Sequence, residues 1–186
     1  GGSAAAVYGA IGTALGEMVG NLTAGKKKFA IYEEDVQRIL VRLGEARMDF
    51  IRLEKRMSRH SGHCRSLPHE GGDRGREEDK RRTDGRMPEG CREGSGGSHG
   101  AGVSVLDDME FLALHGSRLA VSDAGVGIQG IRAALLGAVM SVYINTKMMK
   151  DREYAETVNS QAELLIKKGT EQADRIYEIA LKAVRG

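Results

Sequence analysis

Apolar positions recur at three- and four-residue spacing in long runs, and no stretch of strand length alternates with period two. The pattern predicts an all-α protein. From Ser3 to Asn21 small residues dominate, with Gly12, Gly16 and Gly20 at four-residue steps and Leu15, Met18, Val19 and Leu22 at the spacing of a core-facing helix. Glycine inside a helix costs about 1 kcal/mol against alanine, so this density predicts close contact with another helix or a ligand. Gly25 interrupts, and a second helix is expected from Lys26 to about Lys55, with Phe29, Tyr32, Val36, Ile39, Leu40, Leu43, Met48, Ile51 and Leu53 on its apolar side. Lys26, Lys27 and Lys28 carry the charge that a helix N-terminus disfavours. They read either as an anion site or as a solvated basic turn.

Further along, Val105–Leu114 reads as a short amphipathic helix stopped by His115 and Gly116. Ser122 is the expected N-cap of a helix from Asp123 to about Met148, with Asp123 suiting the helix dipole. Asp151 opens a last helix to about Val184. Together these elements predict an antiparallel helical bundle, one domain over residues 1–186. The apolar stretches Ala4–Ala24 and Leu119–Ile144 are interrupted by Glu17 and by Asp123, Gln129 and Arg132, so they are expected as buried helices with no membrane partner.

Composition changes the picture in one window. Both prolines, both cysteines, four of the five histidines and 11 of the 26 glycines fall between Ser58 and Gly102. His60, His63, Cys64, His69, Cys91 and His99 invite a metal reading, yet no CxxC or HxxxH pair is present, so no metal is expected. Elsewhere lysine and arginine are interleaved with acids, and the formal net charge is +2. That balance argues against a nucleic-acid partner. Two cysteines 27 residues apart make no disulfide framework, which fits a reducing, cytoplasmic setting. The opening Gly1-Gly2-Ser3 has neither an initiator Met nor a basic segment, so no signal peptide is expected.

Four stretches in order carry a resemblance: Gly1-Gly2-Ser3-Ala4-Ala5-Ala6; Met18-Val19-Gly20-Asn21-Leu22-Thr23 running into Gly25-Lys26-Lys27-Lys28; Val121-Ser122-Asp123-Ala124-Gly125-Val126; and Tyr143-Ile144-Asn145-Thr146-Lys147. The chain resembles the C-terminal family of formiminotransferase-cyclodeaminases over Gly1 to about Met57 and Val105 to Gly186. The resemblance implies an all-α homodimer with a tetrahydrofolate derivative as substrate, bound in a cleft involving the subunit interface, and no permanently bound cofactor. It also implies a formiminotransferase partner. The implied reaction is closure of a 5-formimino group with loss of ammonia, or addition of water to the methenyl bridge. Both pass through a tetrahedral carbon between two nitrogens and need a proton carrier beside it.

Of the matched positions, Asp123 is the candidate carboxylate, as acid/base, as pterin anchor, or as a simple helix-start residue. A helix N-terminus lowers a carboxylate pKa, which favours the anchor. Lys26 and Lys27 match paired basic residues suited to the glutamate tail of folate. Gly1, Gly2 and Ser3 match the end of a Gly-rich stretch, and Ser122, Asn145 and Lys147 match further substrate-binding candidates.

The window 58–103 matches nothing in that family, where an Asp-x-x-Ala-Phe motif, a polar turn and an Ala/Glu-rich helix are expected. Read one base out of register, Ser codons become Ala, Gly codons become Ala, Glu or Val, and Glu codons become Lys or Arg. Permissible codons then give an Ala/Glu-rich stretch over residues 60–80 and 87–103, while Leu53–Ser61 in the remaining frame yields the Asp motif. The window is therefore expected to be frameshifted and irregular. Loss of that helix would expose Phe50, Ile51, Leu135 and Leu136 or their neighbours, and leaves a second reading: an inactive helical dimerisation scaffold.

Overall fold

The structure, a computed structural model, describes residues 1–64 and 105–186, with side chains placed at 1–58 and 105–186. Among the described residues there are five helices and no strand: α1 (Gly2–Thr23), α2 (Glu33–Cys64), α3 (105–115), α4 (Val121–Lys147) and α5 (Arg152–Arg185). Short 3-10 turns at Lys27–Tyr32 and Arg118–Ala120 lead into α2 and α4. The metal and frame expectations for the central window lie mostly outside the described residues. Its first part is helical, because α2 continues past Lys55 to Cys64 with no proline before Pro68 to stop it.

Two helix starts differ from expectation. The lysines precede α2 rather than opening it, and its first turn holds Glu33, Glu34 and Asp35, the charge the dipole favours. Ser122 is not an N-cap: the turn at Arg118–Ala120 runs straight into α4, Ala120 takes the cap position, and Ser122 and Asp123 lie within the first turn. Asp151 does cap α5, accepting the Tyr154 N–H at 3.0 Å.

The helices form an antiparallel layer in the order α2, α1, α4, α5. Along α1, Gly9 meets Phe50, Gly16 meets Leu43 and Gly20 meets Leu40, so α1 and α2 run oppositely. On its other flank Ala5 meets Gly137 and Gly12 meets Gly127, the antiparallel register with α4. Helix α3 crosses the layer. Met109 sits against Gly16, Leu43 and Gly127, the Asp108 carboxylate is buried against Arg42 of α2, and Gln172 of α5 donates to Asp107 and Glu110. The core under α3 comprises Val19, Leu43, Leu106, Met109, Leu112, Ile128, Ile131 and Ile176.

The buried face of α1 corrects the simple periodic reading. Ala5, Ala6, Gly9, Gly12, Thr13, Gly16, Val19 and Gly20 point inward, while Ile11, Met18 and Leu22 are 52%, 40% and 42% exposed. Helix backbones approach closely here, so the interior accepts small residues and the large ones turn outward. Adjacent positions of α4 do the same: Val126, Met140 and Ile144 are exposed. Phe50, Ile51 and Leu135 are half-buried, and of the four expected to be uncovered only Leu136 is exposed. By length and composition the span Arg118–Lys147 could cross a membrane, with a third of its apolar window buried in the bundle.

Candidate functional site

The candidate residues fall at two ends of the bundle. At about 1.5 Å per residue, the 22 residues of α1 separate those ends by about 33 Å. Gly1, Gly2 and Ser3 open α1, and beside them Ser141 approaches Gly2, bringing the last turns of α4 with Asn145 and Lys147 to the same end. Lys26 and Lys27 follow α1, and there Ser117 and the start of α4 bring Ser122 and Asp123. A single chain does not gather all of them into one pocket.

At the first end, Ser3 donates to Glu54 Oε1 at 3.1 Å and Ser58 donates to the same atom at 2.6 Å. The Ser58 and Ser3 hydroxyls hold the Glu54 carboxyl below the ordinary carboxylate range. Glu54 has no family motif around it in the sequence, and only the 51-residue reach to Ser3 reveals it. Asn145 spends its side-chain N–H on Ser141 O at 2.9 Å, a contact within its own helix, and Lys147 is an exposed last-turn cation. Thr146, buried between them, bonds Asn159 at 2.7 Å, and Arg152 donates to its carbonyl.

At the second end, Gly25 adopts φ +72°, the left-handed conformation that glycine takes without strain, and turns the chain from α1 into the basic turn. Its N–H donates to Glu33 Oε2 at 2.8 Å, and Gln37 donates to the other oxygen at 3.0 Å. Those two bonds, Gln37 first, lower the Glu33 pKa. Lys26, Lys27 and Lys28 stand exposed, with no ion pair among the described residues. Across the junction, Ser117 N–H donates to the buried Thr23 hydroxyl at 2.9 Å, which in turn donates to Val19 O at 2.7 Å. Asp123 is half-buried, and among the described residues its carboxylate accepts no hydrogen bond; Ser122 is exposed. This end offers a free carboxylate in the first turn of α4 and, past the end of α1, an exposed cluster of cations. A cavity of about 770 Å³ elsewhere, between α3 and α5, is lined by Glu110, Asp174, Arg175, Glu178 and Lys182 and includes none of the candidates.

Fold and candidate residues thus define an all-helical protein whose polar groups gather at the helix ends, with exposed lysines in the turn after α1. The chain belongs to the formiminotransferase-cyclodeaminase family, whose sequence model matches residues 1–60 and 73–164. It is 32% identical over 200 residues to a methenyltetrahydrofolate cyclohydrolase from Methylorubrum extorquens, an alignment covering 96% of this chain and 86% of that protein. It is 28% identical to the formimidoyltransferase-cyclodeaminase of Gallus gallus, covering 87% of this chain but 30% of that longer protein. The fold matches a crystal structure of formiminotetrahydrofolate cyclodeaminase from Thermotoga maritima with a TM-score of 0.65 at 23% identity, over 100% of this chain and 88% of that one.

Proposed function

We propose that this chain adds water to the methenyl bridge of a tetrahydrofolate, acting as a homodimer. The observation that carries this reading is the near full-length likeness to a methenyltetrahydrofolate cyclohydrolase, and the free Asp123 carboxylate near the basic turn suits the chemistry. The methenyl carbon bears the positive charge of an amidinium. Water adds to it, Asp123 takes a proton from the attacking oxygen, and the carbon becomes tetrahedral between N5 and N10. Breakage of one carbon–nitrogen bond, with that nitrogen reprotonated, leaves a formyl group; the net products are formyltetrahydrofolate and one proton. Lys26 and Lys27 pair with the glutamate carboxylates.

The fold match and the longer relatives favour a second reaction at the same centre. There N10 attacks a 5-formimino carbon, the N10 proton passes to the imino nitrogen, and ammonia departs after taking up one further proton. In that case a formiminotransferase supplies the substrate, as a partner chain. Purified protein given each folate separately, with methenyl absorbance followed, distinguishes the two: decay of the methenyl signal supports hydrolysis and its growth from the formimino compound supports deamination. No change with either substrate overturns the assignment. The enzyme relatives do not favour the scaffold reading.

A second copy on the outward α1/α4 face supplies the dimer. Val7, Ile11 and Met18 of α1 and Val126, Met140 and Ile144 of α4 form an apolar stripe that water would otherwise cover. A two-fold axis crossing the helices sets α1 antiparallel to its copy, so the Lys26 and Asp123 end of one protomer meets the Ser3 and Asn145 end of the other. That arrangement completes the substrate-binding set which one chain leaves split. Ile11→Arg is expected to give a monomer in sedimentation with loss of turnover; a persisting dimer would place the interface elsewhere. The setting proposed for this enzyme is the cytoplasm.

We also propose that residues 58–103 are in part encoded out of frame: permissible codons shifted by one base restore an Ala/Glu-rich helix there, and the family match is interrupted over residues 61–72 before it resumes at 73. Sequencing the coding DNA decides it: stops in the shifted frames, or failure to read the Ala/Glu-rich stretch, rejects the idea.

A further inference from the structure

We propose that His115 is a positioning residue that holds the basic turn in place for the substrate's anionic tail; the inference rests on the reading of Lys26 and Lys27 as that tail's partners. The turn Lys27–Tyr32 contributes no buried residue to the bundle. The Gly25 N–H to Glu33 closes the chain around it, and Tyr32 attaches its far end. The Tyr32 ring lies 4.6 Å from the His115 ring at an interplanar angle of 33°, and 5.8 Å from Phe111 edge-on. His115 packs in turn 4.8 Å from Phe111. All three rings are half-buried. His115, the last residue of α3, thus braces the end of that helix against Tyr32 of the turn that carries the lysines.

The two residues after His115 make the wedge stiff. A Cβ at Gly116 would collide with Leu112 O, so the backbone is pressed against the end of α3. The next N–H, of Ser117, bonds the buried Thr23 hydroxyl at the end of α1. Three consecutive residues therefore fix three things: His115 holds the basic turn, Gly116 seats the linker, and Ser117 ties the end of α1 to the start of α4. Asp123 lies six residues beyond Ser117, at the second turn-and-helix junction. Movement of the His115 ring would shift the lysines relative to Asp123 without touching either. Ring packing of this kind is directional, so phenylalanine can replace the histidine whereas alanine cannot.

The test uses the full chain and measures binding of 5-formyltetrahydrofolate, and of the same pterin and aminobenzoate scaffold without its glutamate, by calorimetry. His115→Ala is expected to weaken the glutamate-bearing compound about tenfold, the scale of a lost aromatic contact in affinity, and to leave the truncated one unchanged. His115→Phe restores the wild-type value. A Lys26→Ala/Lys27→Ala variant weakens the same compound, and adding His115→Ala to it costs nothing more. If the lysine variant loses affinity but His115→Ala does not, or if His115→Ala weakens both compounds equally, the positioning role is overturned. If the lysine variant binds as the wild type does, the tail reading itself fails and the inference with it.

Discussion

Asp123→Asn is expected to lower turnover of the methenyl or formimino substrate by about 10²–10⁴-fold, the usual contribution of a positioned general acid or base. The reason is the isolation of this side chain. Asp123 is half-buried in the first turn of α4, and its carboxylate accepts no hydrogen bond among the described residues. A carboxylate whose role was only structural would be spent on a partner, as Asp108 is on Arg42 and Asp174 is on Arg132. Asparagine keeps the size and gives up only the charge's interaction with the helix dipole, about 0.3–1 kcal/mol, so the melting temperature is expected to stay within a few degrees. The substitution removes the negative charge and with it the capacity to take and return a proton. Substrate affinity measured by calorimetry distinguishes the roles further: an acid/base residue loses rate with affinity kept, whereas a pterin anchor loses affinity as well. Unchanged turnover would remove Asp123 from the site and leave Glu54, at the opposite end, as the carboxylate to examine.

The helices were legible because their periodicity is long and their punctuation plain. Gly25, the His115-Gly116 pair and Asp151 each mark an end or a start close to where the structure has one. The faces were less legible. Leu15, Met18, Val19 and Leu22 hold a core period, yet of these only Val19 is fully buried, because the inward surface of α1 is set by how closely its backbone approaches α4. The lysines misled for a related reason: the local pattern made them a helix start, whereas three acids one turn later satisfy the dipole better.

At Asp123 the motif and an unspent carboxylate in a helix's first turn coincide, whereas an arrangement that depends on a distant neighbour leaves no mark in the local sequence. Glu54 gains its partner 51 residues away, and His115 gains Tyr32 from a different element. Neither carries a local signal, since a lone acid in a charged helix and a lone histidine before a glycine are common surface features. The split of the candidates between two ends is likewise a property of packing. Antiparallel pairing of α1 with α4 places Ser3 beside the end of α4 and Lys26 beside its start, which four stretches read in order along the chain do not reveal.

The close α1/α4 contact makes a contrast between two glycines the sharpest test of the fold. A Cβ added at Gly12 would lie 2.6 Å from Gly127 O, 2.7 Å from Ile131 Cγ1 and 3.0 Å from Ile131 N. Two of those atoms are backbone and can yield only if the helices part. At Gly44, inside α2, the only neighbour is the Glu17 carboxylate at 3.2 Å, the end of a side chain paired with Arg47 that need give by only a few tenths of an ångström. Both positions gain about 1 kcal/mol of helix propensity on replacement by alanine. Gly44→Ala is therefore expected to raise stability by about 0.5–1 kcal/mol. Gly12→Ala is expected to lower it by about 3 kcal/mol or more, at the upper end of overpacking costs, because the same gain is overwhelmed by separation of two helices. Against a total of about 5–15 kcal/mol for a domain, that loss reaches the margin of folding. Urea titrations of the two variants read the difference directly. A Gly12→Ala protein as stable as the wild type would show that α1 and α4 do not meet at Gly12 and Gly127, and the pairing that carries Lys26 to Asp123 would fall with it.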